Sequence, residues 1–523
     1  MTRLRLLSTL ARRLPLAGQC QWHAIPTTFR PSRGYASVSP GRIGQPTPET
    51  HPHLLKHGEI TPGIARDEFK ARRARLVSRI EENGVVIVPG YGLRYATNGI
   101  FHQFHQSTDL LYLCGIDEPD CALVLEKTTA GHKMILFVRP RDKSREMWDG
   151  PRAGFDGAVH FFGADEAKPI DTLPAYIDAL ASSSRPIYTD LAVNPPGPSV
   201  LDSTHIHVND TKTHASSAPP IDRSITNVIQ RNVFGTTTRN NSTRRVNPLG
   251  SLLAEQRLNK SPAEVAIMRQ AGRITGRAFV QMMRETKPGV GEHDLWAVAE
   301  HSVKRQGASR LAYVPVVAGG ENALTIHYVL NDQLLTDGAV VLVDAGGEYG
   351  GYASDVTRTW PVNGKFTKEQ RELYEIVLRT QRACIAKCTG DEGANISLDD
   401  LQREAFDMLR AECSTLFGRA VTNKEMNTLY PHHVGHWLGL DVHDTSSIRR
   451  TTTLKSGMVV TIEPALYIPH GDTRYPPGYR GTAIRIEDDV VVGGKETGYA
   501  PIVLSVEAPK EVDDVEAVMA GLV

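Results

Sequence analysis

The chain has 523 residues, room for two to four domains at the usual ~100–200 residues each. Lys+Arg and Asp+Glu both count 59, so no global field points to nucleic acid or an acidic membrane. Six cysteines with no CxxC pair exclude a disulfide framework, and no stretch reaches the ~18–20 apolar residues of a membrane span.

The first 48 residues stand apart. They contain no Asp, Glu or Lys, but carry Arg3, Arg5, Arg12, Arg13, Arg30, Arg33 and Arg42 among Leu, Ala and Ser. An Arg-rich, acid-free leader has the composition of a mitochondrial presequence. Arg12-Arg13 interrupts the only apolar run that would serve as a secretory signal. Residues 1–48 are therefore set aside from the fold.

Residues 55–202 are expected to form a compact α/β unit. A helix is predicted over 66–84, ending at Gly84, followed by a buried strand at 85–90. Two further strands, CALVLEK and KMILFVRP, flank a turn at Thr128–Gly131. Residues 203–248 are rich in Ser, Thr, Asn and Pro and predict an interdomain linker with an insertion near 203–245.

A second domain is expected over 249–510. Ser261-Pro262-Ala263-Glu264 is a capping box with Pro at the first helical position. The helix it starts should stop before Lys287-Pro288-Gly289, with others at 292–306, 367–388 and 398–412. Cys384 and Cys388, four apart on one of these, are read as buried thiols. Strands alternate with the helices in hairpins, which predicts α+β and not a doubly wound parallel sheet.

The chemistry gathers in this domain. AVVLVDAGGEYGGYASDVTRTW (339–360) has the form of a β-hairpin. Asp344 and Asp355 are symmetric about the Tyr349–Gly350 bond, so an unbulged ribbon opposes them directly. Opposed carboxylates ~5 Å apart repel and need a cation or a shared proton. YPHHVGHWLGLDVHD (430–444) holds four histidines in fifteen residues, but lacks the Glu of HExxH, and its glycines argue against a helix. Glu463 ends an apolar strand just before Pro464. Arg485 and Glu487 lie two apart on another strand, hence on one face. A glutamate in an apolar strand is costly unless paired or metal-bound. Four carboxylates and one imidazole suit two hard or borderline divalent ions, such as Mn²⁺, Co²⁺ or Zn²⁺. Such a pair activates water and polarises a carbonyl, the machinery of amide hydrolysis.

With these words around it, the order Asp, Asp, His, Glu, Glu resembles the pita-bread metallopeptidases. RLNKSPAEVAIMRQAGRIT, HHVGHWLGLDVHD and GMVVTIEPALYIP look like the aminopeptidase P branch, and FHQSTDLLYLCGIDEPDCALVLE (104–126) resembles its N-terminal domain. The fold implied is an α+β pita-bread domain preceded by an α/β creatinase/aminopeptidase-P-like domain. The resemblance implies metal ligands Asp344, Asp355, His436, Glu463 and Glu487, with manganese foremost. It makes Glu463 the proton acceptor, and His327, His432 and His443 substrate-binding or oxyanion-stabilising groups. Tyr467 and Arg485 match a supporting pair linked to proton movement. Trp148 matches a tryptophan that the family lends from a neighbouring subunit, which implies a functional dimer or tetramer. One departure is that the aspartate of bacterial members is replaced near Asn98.

Two mitochondrial activities in this branch fit. One is removal of a single Tyr, Leu or Phe from imported proteins after the main processing peptidase, as in the intermediate cleaving peptidases. The other is general Xaa-Pro cleavage. The leader's own Arg33-Gly34-Tyr35-Ala36-Ser37 has the two-step pattern, with a first cut after Gly34 and then loss of Tyr35. Expected partners are the N-termini of peptides and imported proteins, with no nucleic acid and no membrane span. The expected location is the matrix or the matrix face of the inner membrane. A pita-bread domain stripped of its ligands would be a protein-binding module, but here the ligand set is complete.

Overall fold

The computed structural model describes residues 42–190, 246–390 and 395–522. Most of the leader, with Tyr35, and the 203–245 insertion lie outside the described residues. Among the described residues no helix is long and apolar enough to cross a membrane.

The N-terminal half is built on one mixed sheet. Helix α1 (Arg66–Ser78) leads to β1 (Val85–Pro89), and α2 (Thr108–Cys114) leads to the hairpin of β2 (Ala122–Thr128) and β3 (Gly131–Val138). After α3 (Lys143–Asp149) and α4 (Gly154–His160) come β4 (Glu166–Pro169), α5 (Leu173–Ala181) and β5 (Ile187–Tyr188). Strand β6 (Val246–Asn247) closes the sheet, whose order is β6-β5-β1-β2-β3-β4. The β2–β3 turn falls where predicted, with Thr128 paired to Gly131. Helix α1 stops at Ser78, short of the predicted Gly84: its end tightens, with Arg79 N–H on the Leu76 carbonyl, and a turn through Asn83 (φ 59°) then leads into β1.

Two boundaries move. Residues 43–47, placed in the leader, pack on this half. The Gly44 N–H donates to Glu118 Oε1 at 2.8 Å, and the buried Gln45 amide donates to the Gly115 carbonyl at 3.0 Å while accepting from Asp117 N–H. Val246–Asn247, placed in the linker, is an edge strand parallel to Ile187–Tyr188.

The C-terminal half starts with α6 (Gly250–Leu258) and the 24-residue α7 (Pro262–Glu285). The predicted capping box is present: Ser261 Oγ accepts from Glu264 N–H, and Glu264 Oε2 accepts from Ser261 N–H. Helix α8 (Glu292–Arg305) and β7 (Val316–Gly319) precede β8 (Val340–Ala345), β9 (Gly347–Tyr349), β10 (Tyr352–Ala353) and β11 (Val356–Pro361). Helices α9 (Lys368–Ala386), α10 (Leu398–Leu416) and α11 (Asn423–Leu429) follow, and Cys384 and Cys388 are buried as expected. Strands β12 (Val459–Ile462), β13 (Ala465–Ile468), β14 (Thr482–Arg485) and β15 (Asp488–Val491) follow as antiparallel pairs, β12 with β15 and β13 with β14. This domain runs past residue 510: α12 (Val512–Met519) buries Val515 and Val518 against the core of α7.

The central hairpin differs in register. Its turn is Gly350–Gly351, not Tyr349–Gly350, so Tyr349 pairs with Tyr352 and Asp344 pairs with Thr357. A two-residue turn matching the strand twist needs positive φ at both central positions, and these two glycines supply it (59° and 85°). Asp355 therefore sits diagonal to Asp344, not opposite it. The ladder also opens at Ser354–Asp355, where the Ser354 carbonyl approaches so closely that any Cβ on Gly346 would lie 1.6 Å from it.

The two halves share an apolar cluster in which Leu110 and Leu113 of α2 join Leu253, Met268, Leu438 and Leu440. Beside it, Arg257 binds Asp109 (2.8 Å), Asp441 (2.8 Å) and Asp444 (2.5 Å), and Lys260 binds Asp444 at 3.1 Å.

Candidate metal centre

Five carboxylates and imidazoles converge where β8, β11, β12 and the β14–β15 junction meet. Asp355, His436 and Glu487 each offer a ligand atom within 4.8 Å of the others. Asp344 and Glu463 flank this trio. The Tyr313 hydroxyl contacts both Asp344 Oδ1 and Asp355 Oδ1 at 2.5 Å, and Glu463 Oε1 lies 3.8 Å from His436 Nε2. Asp344 turns its second oxygen to Arg485 Nη2 at 2.5 Å.

Each candidate ligand is placed by a local feature. Asp355 is fixed through its backbone, because Asp489 accepts from Asp355 N–H (3.0 Å) and from the Ser354 hydroxyl (2.7 Å). The irregular segment carrying His436 lies on β12, with Thr461 N–H donating to His436 O and His436 N–H to Thr461 Oγ1. Gly435 permits this approach, since a Cβ there would sit 1.9 Å from the Thr461 carbonyl. His436 Nδ1 donates to the Trp437 carbonyl at 3.1 Å, so Nε2, 3.3 Å from Asp355 Oδ2, is the ring atom that could ligate a metal on giving up its proton. Glu463 is held by its N–H to the Val434 carbonyl.

Arg485 and Glu487 do not share an unbroken strand as expected: β14 ends at Arg485 and β15 begins at Asp488. The chain crosses between partners here, with Glu487 N–H donating to the Thr357 carbonyl at 3.0 Å. Both side chains still meet on one face, at the Thr357 hydroxyl, which accepts from Arg485 Nε (3.0 Å) and donates to Glu487 Oε2 (2.6 Å).

The electrostatics are those of a site built for cations. Burial, then Asp355, Glu463 and Asp344, push Glu487 well above the carboxylate range. Burial pushes Glu463 up to about 7 and also raises Asp344, in both cases against the Arg485 charge. Burial likewise pushes Asp355 up, but the His436 imidazole and Tyr313 hydroxyl outweigh it and hold Asp355 low. His436 rises to about 9 despite burial, because Asp355 and Glu463 face it. Buried acids that repel one another, joined by one imidazole, are the donor set of hard divalent ions. The residues present therefore fit the metal pair. Among the described residues, no other trio of His, Cys, Asp or Glu comes as close together.

A polar chain leads away from the ligands. Arg485 Nη1 donates to the Tyr467 hydroxyl at 2.7 Å, and that hydroxyl lies 3.0 Å from His432 Nε2. His432 Nδ1 faces the His433 carbonyl, so Nε2 accepts from Tyr467. Burial and the nearby Arg485 push His432 down to about 3, which keeps it neutral. His443 stacks edge-on against His436 with ring centroids 4.4 Å apart. His327 is exposed, close enough to His432 and His443 for its charge to bear on both. Trp148 and Asn98 are not brought to the group; both are exposed on the N-terminal half, Trp148 at 83%.

The sequence reading missed Tyr313, Thr357 and Asp489. The cost argument that flagged Glu487 applies equally to Asp488 and Asp489 in the same apolar run, both 1% exposed. Tyr313 lies in LAYVPV, where nothing marks it.

Comparison with known proteins agrees with this geometry. Residues 266–493 match metallopeptidase family M24, and residues 69–188 match the aminopeptidase P N-terminal domain. Xaa-Pro aminopeptidase 3 of Rattus norvegicus is 39% identical over 91% of this chain and 90% of its own length. Intermediate cleaving peptidase 55 of Saccharomyces cerevisiae is 39% identical over 92% of this chain and 89% of its own. Its crystal structure, lacking 58 N-terminal residues, superposes with a TM-score of 0.75 at 35% identity, covering 89% of this chain and all of that one. Intermediate cleaving peptidase 55, mitochondrial, of Arabidopsis thaliana is 34% identical over 93% of this chain and 89% of its own. The chain belongs to metallopeptidase family M24. It is a metalloaminopeptidase of the aminopeptidase P and intermediate cleaving peptidase branch, an enzyme of divalent metal ions and not a ligand-stripped binding module.

Proposed function

We propose that this enzyme removes one residue from the N-termini of proteins imported into mitochondria, after a first cut by the processing peptidase. The observation that carries the reading is the convergence of Asp355, His436 and Glu487, flanked by Asp344 and Glu463, beside neutral histidines. The relatives named intermediate cleaving peptidase support the substrate class, and the name of the Arabidopsis relative supports the compartment. The leader's Arg33-Gly34-Tyr35-Ala36 adds to this, because the chain carries the pattern its own class would trim. Relatives named Xaa-Pro aminopeptidase keep general Xaa-Pro cleavage as the second reading.

In this proposal Asp344, Asp355, His436, Glu463 and Glu487 hold two divalent ions, foremost Mn²⁺. Bound ions supply an activated water at neutral pH and polarise the scissile carbonyl. Glu463 takes the proton as the water oxygen attacks the carbonyl carbon. His327 and His443 hydrogen-bond the oxyanion. Arg485 and Tyr467 hold His432 neutral in the substrate cleft. The carbon–nitrogen bond then breaks, Glu463 returns the proton to the leaving amine, and a free amino acid and a shortened chain depart. A free α-amine placed beside the acid cluster limits cleavage to the first bond. The enzyme works as a homodimer or homotetramer on the matrix side: Met147 and Trp148 (77% and 83% exposed), and separately Tyr95, Ile100 and Phe101, are exposed apolar side chains that a partner subunit would cover.

Glu463→Ala tests the site. It is expected to lose bound metal and to lower turnover at least ~10³-fold, as removal of a ligand that is also the general base should. Retention of wild-type rate would refute the assignment. N-terminal sequencing of the mature protein tests the processing pattern. Ala36 at the N-terminus is expected, and Tyr35 there would sink the self-type trimming.

A further inference from the structure

The loop that carries His327 is fastened by a group outside the metal centre. Glu292 is the first residue of α8 and is 0% exposed. Its Oε1 accepts from Gly319 N–H at 2.7 Å and from the Asn322 side-chain amide at 2.9 Å. Its Oε2 accepts from the Tyr328 hydroxyl at 2.8 Å and from Gln333 N–H at 3.0 Å. The Glu292 N–H in turn donates to the Gln333 carbonyl at 2.8 Å. All four donors are neutral, and all lie on the single segment 319–333 that leaves β7 and returns to α8. A buried carboxylate is tolerated only when its lone pairs are satisfied, and four donors on two oxygens satisfy them. An amide in its place would point its own hydrogens at two of those donors.

His327 stands in the middle of this segment. Its neighbour Tyr328 is turned inward to Glu292 and is 7% exposed, while His327 is exposed on the side of His432 and His443. A second anchor holds the same loop. Asn331 is 1% exposed and in the left-handed region (φ 50°); it accepts from Val317 N–H at 2.8 Å and donates to the Pro315 carbonyl at 2.9 Å. Strand β7 begins at Val316, which pairs with Asp344, so the anchored loop is registered directly against a proposed metal ligand.

We propose that Glu292 is a positioning residue for the peptidase reaction: by gathering Gly319, Asn322, Tyr328 and Gln333 on one carboxylate, it sets where His327 meets the oxyanion. This rests on the role given to His327 in the proposed function. Glu292 acts through that loop and contacts none of the five proposed ligands.

The test is kinetic, on the metal-loaded full chain with a peptide that begins with Tyr. Glu292→Gln keeps the volume and is expected to lower kcat ~10–100-fold, the scale of an ångström-level misplacement, with bound metal at the wild-type level and KM changed less than ~3-fold. In a His327→Ala background the same substitution is expected to cost less than ~2-fold, because the group it positions is gone. Tyr328→Phe removes a single donor and is expected to lower kcat by several-fold with the same dependence on His327; it decides the matter if Glu292→Gln does not fold. The proposal is overturned if the folded variants keep wild-type kcat, or if they lose the same factor with and without His327. Wild-type turnover of His327→Ala itself would overturn it too, together with the role of His327, whereas the metal assignment is judged separately by Glu463→Ala.

Discussion

Two residues show how closely the site depends on backbone approach and on charge. Gly435 lets the His436 segment lie against β12, and a methyl there would meet the Thr461 carbonyl at 1.9 Å. Gly435→Ala is therefore expected to destabilise the fold by about 2 kcal/mol, the middle of the overpacking range, and to lower bound metal. Thermal unfolding and metal analysis check both. The ligand charges predict a pH signature. In the metal-free protein Glu463 is raised from 4.5 to about 7 and His436 from 6.5 to about 9. Both protonated forms favour the fold, so the stability they contribute is full at low pH and drains away as pH rises through 7 and then 9. The melting temperature of chelator-treated protein should fall between pH 5.5 and pH 9. Metal-loaded protein should fall less, because the cations replace the protons. Parallel curves would contradict this. The candidate ligands stood out because a carboxylate in an apolar strand must have a reason. Tyr313 and Glu292 were not, because one is a tyrosine in an apolar word and the other opens a helix, where acids are common.

At the scale of elements, helix starts were the clearest signals: the Ser261–Glu264 box begins α7 as read. The central hairpin was legible as a hairpin but not in its register, since two of its four central glycines had to be chosen as the turn, and only φ distinguishes them. The expected pairing of Asp344 with Asp355 is lost in the shift, and the Tyr313 hydroxyl instead bridges the two across the diagonal. Contacts between distant elements left no trace in local pattern. The cluster in which buried Arg257 holds Asp109, Asp441 and buried Asp444 joins α2, α6 and the loop of His443. Arg257→Leu would leave Asp444 buried with Lys260 alone, so a loss of ~3–5 kcal/mol is expected in denaturant unfolding. A loss within experimental error would show that the cluster is dispensable.

For the whole molecule, the division into an N-terminal half and a catalytic half was readable from helix starts and hairpin words, and the exact junctions were not. Residues 43–47 carry leader-like composition but fold onto Glu118 and Gly115, and 246–247 carry linker-like composition but complete a sheet. Each is decided by a partner far along the chain. Removal through Thr47 should lower the melting temperature relative to removal through Gly41, by stripping Gly44 and Gln45 from their partners. Equal melting temperatures would contradict the packed role of that segment. The central claim, a two-metal enzyme that releases one N-terminal residue, is tested most directly by titrating Mn²⁺ into metal-stripped protein. Turnover would be followed on a peptide beginning with Tyr and on one beginning with Xaa-Pro. The account predicts no turnover without metal, a plateau at about two ions per chain as a dinuclear site requires, release of the first residue only, and faster turnover of the Tyr peptide. Full activity in the stripped protein, or cleavage inside the peptide, would contradict it.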